Sequence, residues 1–429
     1  MRPGFCLEDT EMNVMLQRLR FITGLLAAGL VLPLLASELV VDNLDDDGPG
    51  SLRQAIEQAN ADPALAVIQF EASLDGILTL LSPLPVITED VDILGAGAQQ
   101  VSISGGQTHQ ILEIAPGTTV SLSGLSLIDG DGELGGGAVI NEGTLTISEC
   151  IFSGNQSEFG AGGAIDNFFG ELVILSSILT GNEANTGGAI ANFNGTVEII
   201  ESTISDNQAL LGGGIDNAGQ LSIVRSTLSG NSADFGGAVE NAGVLHVVNS
   251  TFSGNLAAFD GGAIDNFGGE VSLLHATLAF TPATDSGGAI WNGDEGTLVT
   301  KHSILAGSDD NECFSETGSG WTALGVNYST DANCEDFQAA TLADLALAAL
   351  DDHGGLTWTH ALQADSVAIN AAEDCTGIDG AEPVTEDQRS ISRPQGEHCD
   401  VGAYERVVDV DPPPPEDPIF SDRFEQPSG

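Results

Sequence analysis

A hexapeptide pattern returns seven times along this chain, and its spacing leaves few folds open. It reads Gly136-Gly-Ala-Val-Ile-Asn141, Gly162-Gly-Ala-Ile-Asp-Asn167, Gly187-Gly-Ala-Ile-Ala-Asn192, Gly212-Gly-Gly-Ile-Asp-Asn217, Gly236-Gly-Ala-Val-Glu-Asn241, Gly261-Gly-Ala-Ile-Asp-Asn266 and Gly287-Gly-Ala-Ile-Trp-Asn292. Successive Asn residues are 26, 25, 25, 24, 25 and 26 positions apart. A second pattern runs out of phase with the first, at Phe152-Ser-Gly-Asn155, Leu179-Thr-Gly-Asn182, Ile204-Ser-Asp-Asn207, Leu228-Ser-Gly-Asn231 and Phe252-Ser-Gly-Asn255. Self-similarity at such a period marks a repeat architecture.

The physics of one period selects among repeats. Between the motifs lie alternating runs such as Gly195-Thr-Val-Glu-Ile-Ile200 and Gly243-Val-Leu-His-Val-Val248, with Gly and Asn as punctuation. Period-two alternation with β-branched content reads as strand. Two or three such strands and their turns fill the period, and no helix fits. A unit of this kind buries its apolar face only by stacking on its neighbours. The expected fold is therefore an all-β, right-handed parallel β-helix of the pectin lyase type. At ~4.8 Å per coil, seven coils make a rod of roughly 34 Å. Gly-Gly gives backbone freedom at a corner, the following Ala fits a crowded interior, and Ile or Val points inward. Asn141, Asn167, Asn192, Asn217, Asn241, Asn266 and Asn292 are expected in left-handed turns, each amide bonding its counterpart one coil on.

The two motifs resemble the Gly-Gly-Ala-Ile and Phe-x-x-Asn repeats of the polymorphic outer-membrane protein family, over residues 136–292. That resemblance implies surface display and adhesion on a right-handed β-helix. The family's usual terminal β-barrel has no counterpart here. Gly50-Ser-Leu-Arg-Gln-Ala-Ile56, with Ala59-Asn60-Ala61, resembles the CSLREA-type segment of secreted bacterial β-helix proteins, with Gly50 in place of Cys and Gln54 in place of Glu. Leu52, Ala55, Ile56 and Ala59 share one face of a short helix, Ser51 is its N-cap, and the helix is expected to close the first coil. Gly354-Gly-Leu-Thr-Trp-Thr-His-Ala-Leu362, Asp387-Gln-Arg389, Arg393-Pro394 and Cys399-Asp-Val-Gly-Ala-Tyr-Glu405 resemble the choice-of-anchor Q domain. In that stretch Asp387, Arg389, Arg393, Asp400 and Glu405 read as an ion-pair network.

These elements divide the chain into a signal peptide (1–36), an N-terminal cap (37–65), the β-helix (66–310), final coils with a disulfide-stapled C-terminal cap (311–407) and a Pro-rich linker with a sorting tail (408–429). Arg18 and Arg20 flank the apolar stretch Phe21 to Leu35, cleavage is expected after Ala36, and Met12 or Met15 are candidate starts. That stretch is shorter than the ~20 residues of a spanning helix. The expected location is secreted or cell-surface.

Cysteine usage agrees with export. Proximity pairs Cys313 with Cys334 and Cys375 with Cys399, although four cysteines allow three pairings. Each loop would stabilise the fold by ~3–4 kcal/mol. Cys150 is left as a buried apolar residue, and no Cys-x-x-Cys zinc spacing is present.

Lys and Arg total 10 against 63 Asp and Glu, for a net charge of −53. A surface so acidic repels phosphate backbones and anionic lipids, which excludes nucleic acid as a partner. It attracts cations, so Ca²⁺ is a candidate ligand, although no EF-hand loop occurs. No other cofactor is expected.

Within the coils only Arg225, read as strand and outward-facing, and Lys301 could serve a lyase as proton acceptor. A hydrolase needs paired carboxylates with divergent pKa values. Asp216, Glu240 and Asp265 hold one register in successive coils, with Asp166 two coils before Asp216, and are the candidates for catalysis or for a cation stripe. At ~4.8 Å, neighbouring carboxylates repel by about 0.9 kcal/mol in bulk water. Trp291, Phe168 and Phe169 are aromatic exceptions where a ring could stack on a sugar. The coils carry no inserted loop of the kind that builds a catalytic site. The sequence thus favours a monomeric, non-catalytic, adhesin-like scaffold contacting polysaccharide or cell-surface glycan, with a polysaccharide-degrading enzyme of the pectin lyase fold, a hydrolase ahead of a lyase, as the alternative.

Overall fold

The structure, a computed structural model, describes residues 38–407 apart from 134, 309–311 and 381. The expected signal peptide and the linker with its tail lie outside the described residues. Across the rest, the chain winds as a parallel β-helix. Each coil adds one strand of about three residues to a 12-stranded sheet and one or two strands to a 19-stranded sheet. All pairings within these two sheets are parallel, so each coil lies in register on the one before: Ile165 pairs Ile190, Ile190 pairs Ile215, and Ile215 pairs Val239. Among the described residues no helix is long and apolar enough to cross a membrane.

One coil shows why the sequence folds this way. Gly212 takes φ +59° at the corner, a conformation a side chain would strain. The chain then runs extended through Ile215–Val224, with Ile215, Asn217, Leu221 and Ile223 buried and Gln220 exposed. Arg225 turns the next corner at φ 48°, and the short strand Thr227–Ser229 points Leu228 inward. Each fully buried Ile or Leu contributes roughly 1.5–3 kcal/mol, and stacking like on like repeats that gain coil after coil.

The repeated Asn residues differ from expectation in one respect. They lie in strands with ordinary negative φ, and the left-handed positions belong to the Gly-Gly corner and to the residue after each longer strand. The expected amide chain is present. Asn141 donates to Asn167 at 2.7 Å, Asn167 to Asn192 at 2.9 Å, Asn192 to Asn217 at 2.8 Å, Asn217 to Asn241 at 2.7 Å, Asn241 to Asn266 at 2.8 Å and Asn266 to Asn292 at 2.7 Å. These amides fill the bend between the two longer strands, so a Cβ on Gly195 would collide with Asn167 and Asn192. The second motif builds a parallel ladder, from Asn155 through Asn182, Asn207 and Asn231 to Asn255.

At the N-terminal end, helix α1 (Leu52–Ala61) starts at Ser51, whose side chain accepts from the Gln54 N–H. Leu52, Ala55, Ile56 and Ala59 join one core with Val41, Ile68 and Phe70. Arg53 pairs with Asp46 at 2.6 Å and donates to the Ser82 and Pro83 carbonyls. At the other end, the short helix α2 (Leu342–Leu345) opens on a capping box formed by Thr341 and Asp344.

The chain then returns along the flank of the solenoid, over the outer side of the short-strand sheet. Thr357 donates to the Arg225 carbonyl, Gln388 bonds Thr227 and Thr251, and Lys301 reaches Thr376. Tyr404, Val401, Leu362 and Ala368 form a second core there with Ile304 and Ala306. The segment expected as a terminal cap thus lies alongside coils whose corners run from Arg225 to His302. Both disulfides expected from proximity are present, Cys313–Cys334 and Cys375–Cys399.

Candidate functional site

The residue before each ladder Asn faces outward, because its neighbours on either side face in. Register stacks these residues as Asp166, Ala191, Asp216, Glu240, Asp265, Trp291 and Phe314. The structure therefore brings Asp216, Glu240 and Asp265 together, while Ala191 separates Asp166 from them.

Burial of this column changes its chemistry. Glu240 is 9% exposed and Asp265 4%. Burial raises Glu240 well above the usual carboxylate range, helped by a hydrogen bond shared with Asp216 and by the charges of Asp216 and Asp265. The Glu240 proton thereby replaces a repulsion with a bond. Burial also pushes Asp265 up to about 7, with Asp260 and Glu316 adding to it, and leaves its Oδ1 without a hydrogen-bond partner. Asp166 is pushed up to about 6 by burial and by Glu142. Among the described residues, no three of His, Cys, Asp and Glu gather as ligands for a metal ion.

Two of the three aromatic exceptions stack on rings of neighbouring coils. Trp291 lies between Phe267 and Phe314, with ring centres 6.4 and 6.5 Å away and planes within 12° of parallel. Phe168 stacks on Phe193 at 5.4 Å. Ring faces are thus taken up between coils, as Asn amides are on the inside. Phe169 is different. It stands at 90° to Phe168 and 83° to Phe193 and is 60% exposed.

Every Lys and Arg side chain among the described residues is engaged. Arg225 lies past the end of its strand, at the corner rather than within the strand as expected, and pairs with Glu201 at 2.9 Å. Lys301 pairs with Asp374 at 3.0 Å, and Arg406 donates to the Leu362 carbonyl. Arg389 pairs with Asp387 at 2.8 Å and lies 3.5 Å from the centre of the Tyr404 ring. Arg393 pairs with Glu405 at 2.9 Å and donates to the Asp400 and Gly402 carbonyls. Asp387 and Glu405 are fully buried, so this cluster fastens the flank and leaves no open face for substrate.

Sequence reasoning missed two features. Ser177, Ser202, Ser226 and Ser250 form a hydroxyl ladder, each accepting the backbone N–H one coil before. Their recurrence after each corner was the available signal. His275 and His302 lie one above the other beneath the flank, and neither is marked by a motif. Cys150 is buried as expected, and burial pushes its thiol up to about 12.

No protein-family model and no curated protein matches the chain. Solved structures similar to it include two polysaccharide lyases. The crystal structure of pectate lyase Pel9A is 14% identical with a TM-score of 0.43, over 86% of this chain and 97% of that one. PL6 family alginate lyase AlyGC is 12% identical with a TM-score of 0.38, over 85% of this chain and 60% of that one. The lyase activities are those proteins' own.

Proposed function

We propose that the chain is an exported, non-catalytic β-helix scaffold that presents a glycan-contacting face at or beyond the cell surface. One observation carries this reading: the outward groups suited to chemistry are spent on coil-to-coil and flank contacts. Both faces of Trp291 are covered, the six Lys and Arg side chains among the described residues are engaged, and Glu240 shares its proton with Asp216. A lyase needs a free base, and each Lys and Arg among the described residues is committed to a partner. Two disulfides suit an oxidising compartment. Phe169, exposed and turned edge-on to its neighbours, is the ring best placed to meet a sugar face.

The alternative is hydrolysis at the acidic column. Glu240, protonated at neutral pH beside Asp216, has the proton of a general acid. Residues on paired parallel strands stand ~4.8 Å apart, near the roughly 5–5.5 Å of a retaining pair. The test is release of reducing ends from neutral and acidic polysaccharides by the oxidised protein, alongside binding to immobilised glycans. Binding that Phe169→Ala weakens at least about tenfold, without turnover, supports the scaffold. Turnover abolished by Glu240→Gln overturns it in favour of the hydrolase.

A further inference from the structure

The corner after the longer strands is a column of left-handed residues: Glu149, Ser176, Glu201, Arg225, Asn249, His275 and His302. Near its start the column is open, and Glu149 is exposed. At its end it is shut. His275 is 0% exposed and His302 1%, both beneath the C-terminal flank, with ring centres 5.1 Å apart.

No side chain bonds either ring nitrogen of His275, and the backbone of Asp400, on the flank, is the one hydrogen-bonding group set against the ring. A neutral imidazole carries one N–H and one bare nitrogen, and a single backbone carbonyl can serve only the N–H, so at least one buried ring nitrogen is left without a partner. The groups around it come from three directions. Asn249 lies in the coil before, and His302 and Lys301 in the coil after. From the flank come Arg393 and the backbone of Asp400. Asp374 lies 3.6 Å from His302 Nε2, longer than a hydrogen bond, and pairs with Lys301 instead. The remaining carboxylates are committed: Asp387 to Arg389, Glu405 to Arg393, and Asp400 to the Asn370 and Arg406 backbone amides. His275 is therefore held neutral between two cations, with no carboxylate in contact.

We propose that His275 and His302 make the C-terminal flank an acid-released cover over the short-strand sheet. A proton on His275 sets a third positive charge between Lys301 and Arg393, in a site from which water is shut out. Lifting the flank hydrates that charge. It also bares the outward residues of four short strands, among them Thr251, Thr277, Ile304 and Ala306, all buried while the flank is closed.

The sign follows from the shifts. Burial first, then the neighbouring cations, lowers His275 well below its ordinary 6.5, and burial lowers His302. The closed state thus binds fewer protons than the open one below about pH 6.5, and its advantage shrinks as pH falls through that region. Burial acts on Asp374 in the raising direction, but its Thr376 and Lys301 contacts outweigh it and hold the group low, so that ion pair survives the window. Asp400, raised to about 6 by burial and by Glu405, works against opening.

The test is hydrogen exchange by mass spectrometry on the full, oxidised chain, corrected for intrinsic rate, between about pH 7 and about pH 4. Peptides from 342–407 and from the covered strands are compared with uncovered coils around Leu172 to Leu175. The expected result is loss of protection in the first set below about pH 6, with the second set still protected. His275→Asn and His302→Asn, which stay neutral, each lower the midpoint by about one pH unit. Midpoints unchanged in both variants, or one midpoint shared by flank and uncovered coils, overturns the proposal. Should His275→Asn not fold, His302→Asn decides together with the ring ¹⁵N shifts of His275 in the wild type, which must show the ring gaining its proton together with the loss of flank protection and not before it.

Discussion

Asn192 donates its amide to Asn217 Oδ1 at 2.8 Å, directly across the boundary between two coils, and Asn217 passes the same bond on to Asn241 at 2.7 Å. A chain of identical amides satisfies itself, since each residue gives and receives once. Asn217→Ala is expected to cost about 1–3 kcal/mol, because it strands the buried Asn241 oxygen and the Gly219 N–H. Asn217→Asp is expected to cost more at neutral pH, since it sets a carboxylate against that oxygen. Urea unfolding of the two variants gives the order, and an Asp variant as stable as wild type counts against the ladder.

The Asp216–Glu240 contact predicts an alkaline weakness. The folded-state pKa of Glu240 lies above its unfolded value, so the folded protein binds the extra proton. Stability from this group is full below about pH 4.5 and is lost as pH rises through the raised value. The urea midpoint should therefore fall between about pH 6 and about pH 10, and Glu240→Gln should flatten that slope while keeping the fold. An unchanged slope in the variant would show that other groups set it.

Trp291 fills space that Gly293 leaves open, since a Cβ there would overlap the indole ring. Gly293→Ala should displace the ring from between Phe267 and Phe314 and cost about 1–3 kcal/mol as a local overpacking. A red-shifted indole emission in a Trp321→Phe, Trp358→Phe background reports the displacement. An unshifted spectrum means the stack tolerates the methyl group.

The Cys375–Cys399 loop of 24 residues fastens the flank that covers His275. Its removal by Cys375→Ser with Cys399→Ser should lower stability by ~3–4 kcal/mol. Cleavage by a Glu-specific protease should then begin in residues 373–397 while the coils stay intact. Simultaneous cleavage of coils and flank would mean the two unfold together.

The parallel β-helix was legible because the same physics is written seven times. A corner Gly, an inward Ile and a buried Asn recur at one spacing, and each copy confirms the last. The Asp216, Glu240 and Asp265 register was legible for the same reason. Their protonation was not, because it depends on how deeply an outward-facing residue is covered, which alternation alone does not tell. The left-handed corner stayed hidden because Glu149, Ser176, Arg225 and His275 share no side-chain chemistry, and backbone shape selects the position. The course of the last part of the chain along the flank was hidden too. Its contacts join residues more than 100 positions apart, as with Gln388 and Thr227, and no period announces them.

The flank gives the two halves of the solenoid different mechanical characters. Coils before Arg225 are held mainly by the coil above and the coil below, so their bonds can part in sequence. Coils from Arg225 to His302 are tied side by side by one strap with its own disulfide. Drawn out from its ends, the molecule would pay out slack in steps of about 25 residues from the amino-terminal side. The strapped coils would hold until last and then release together.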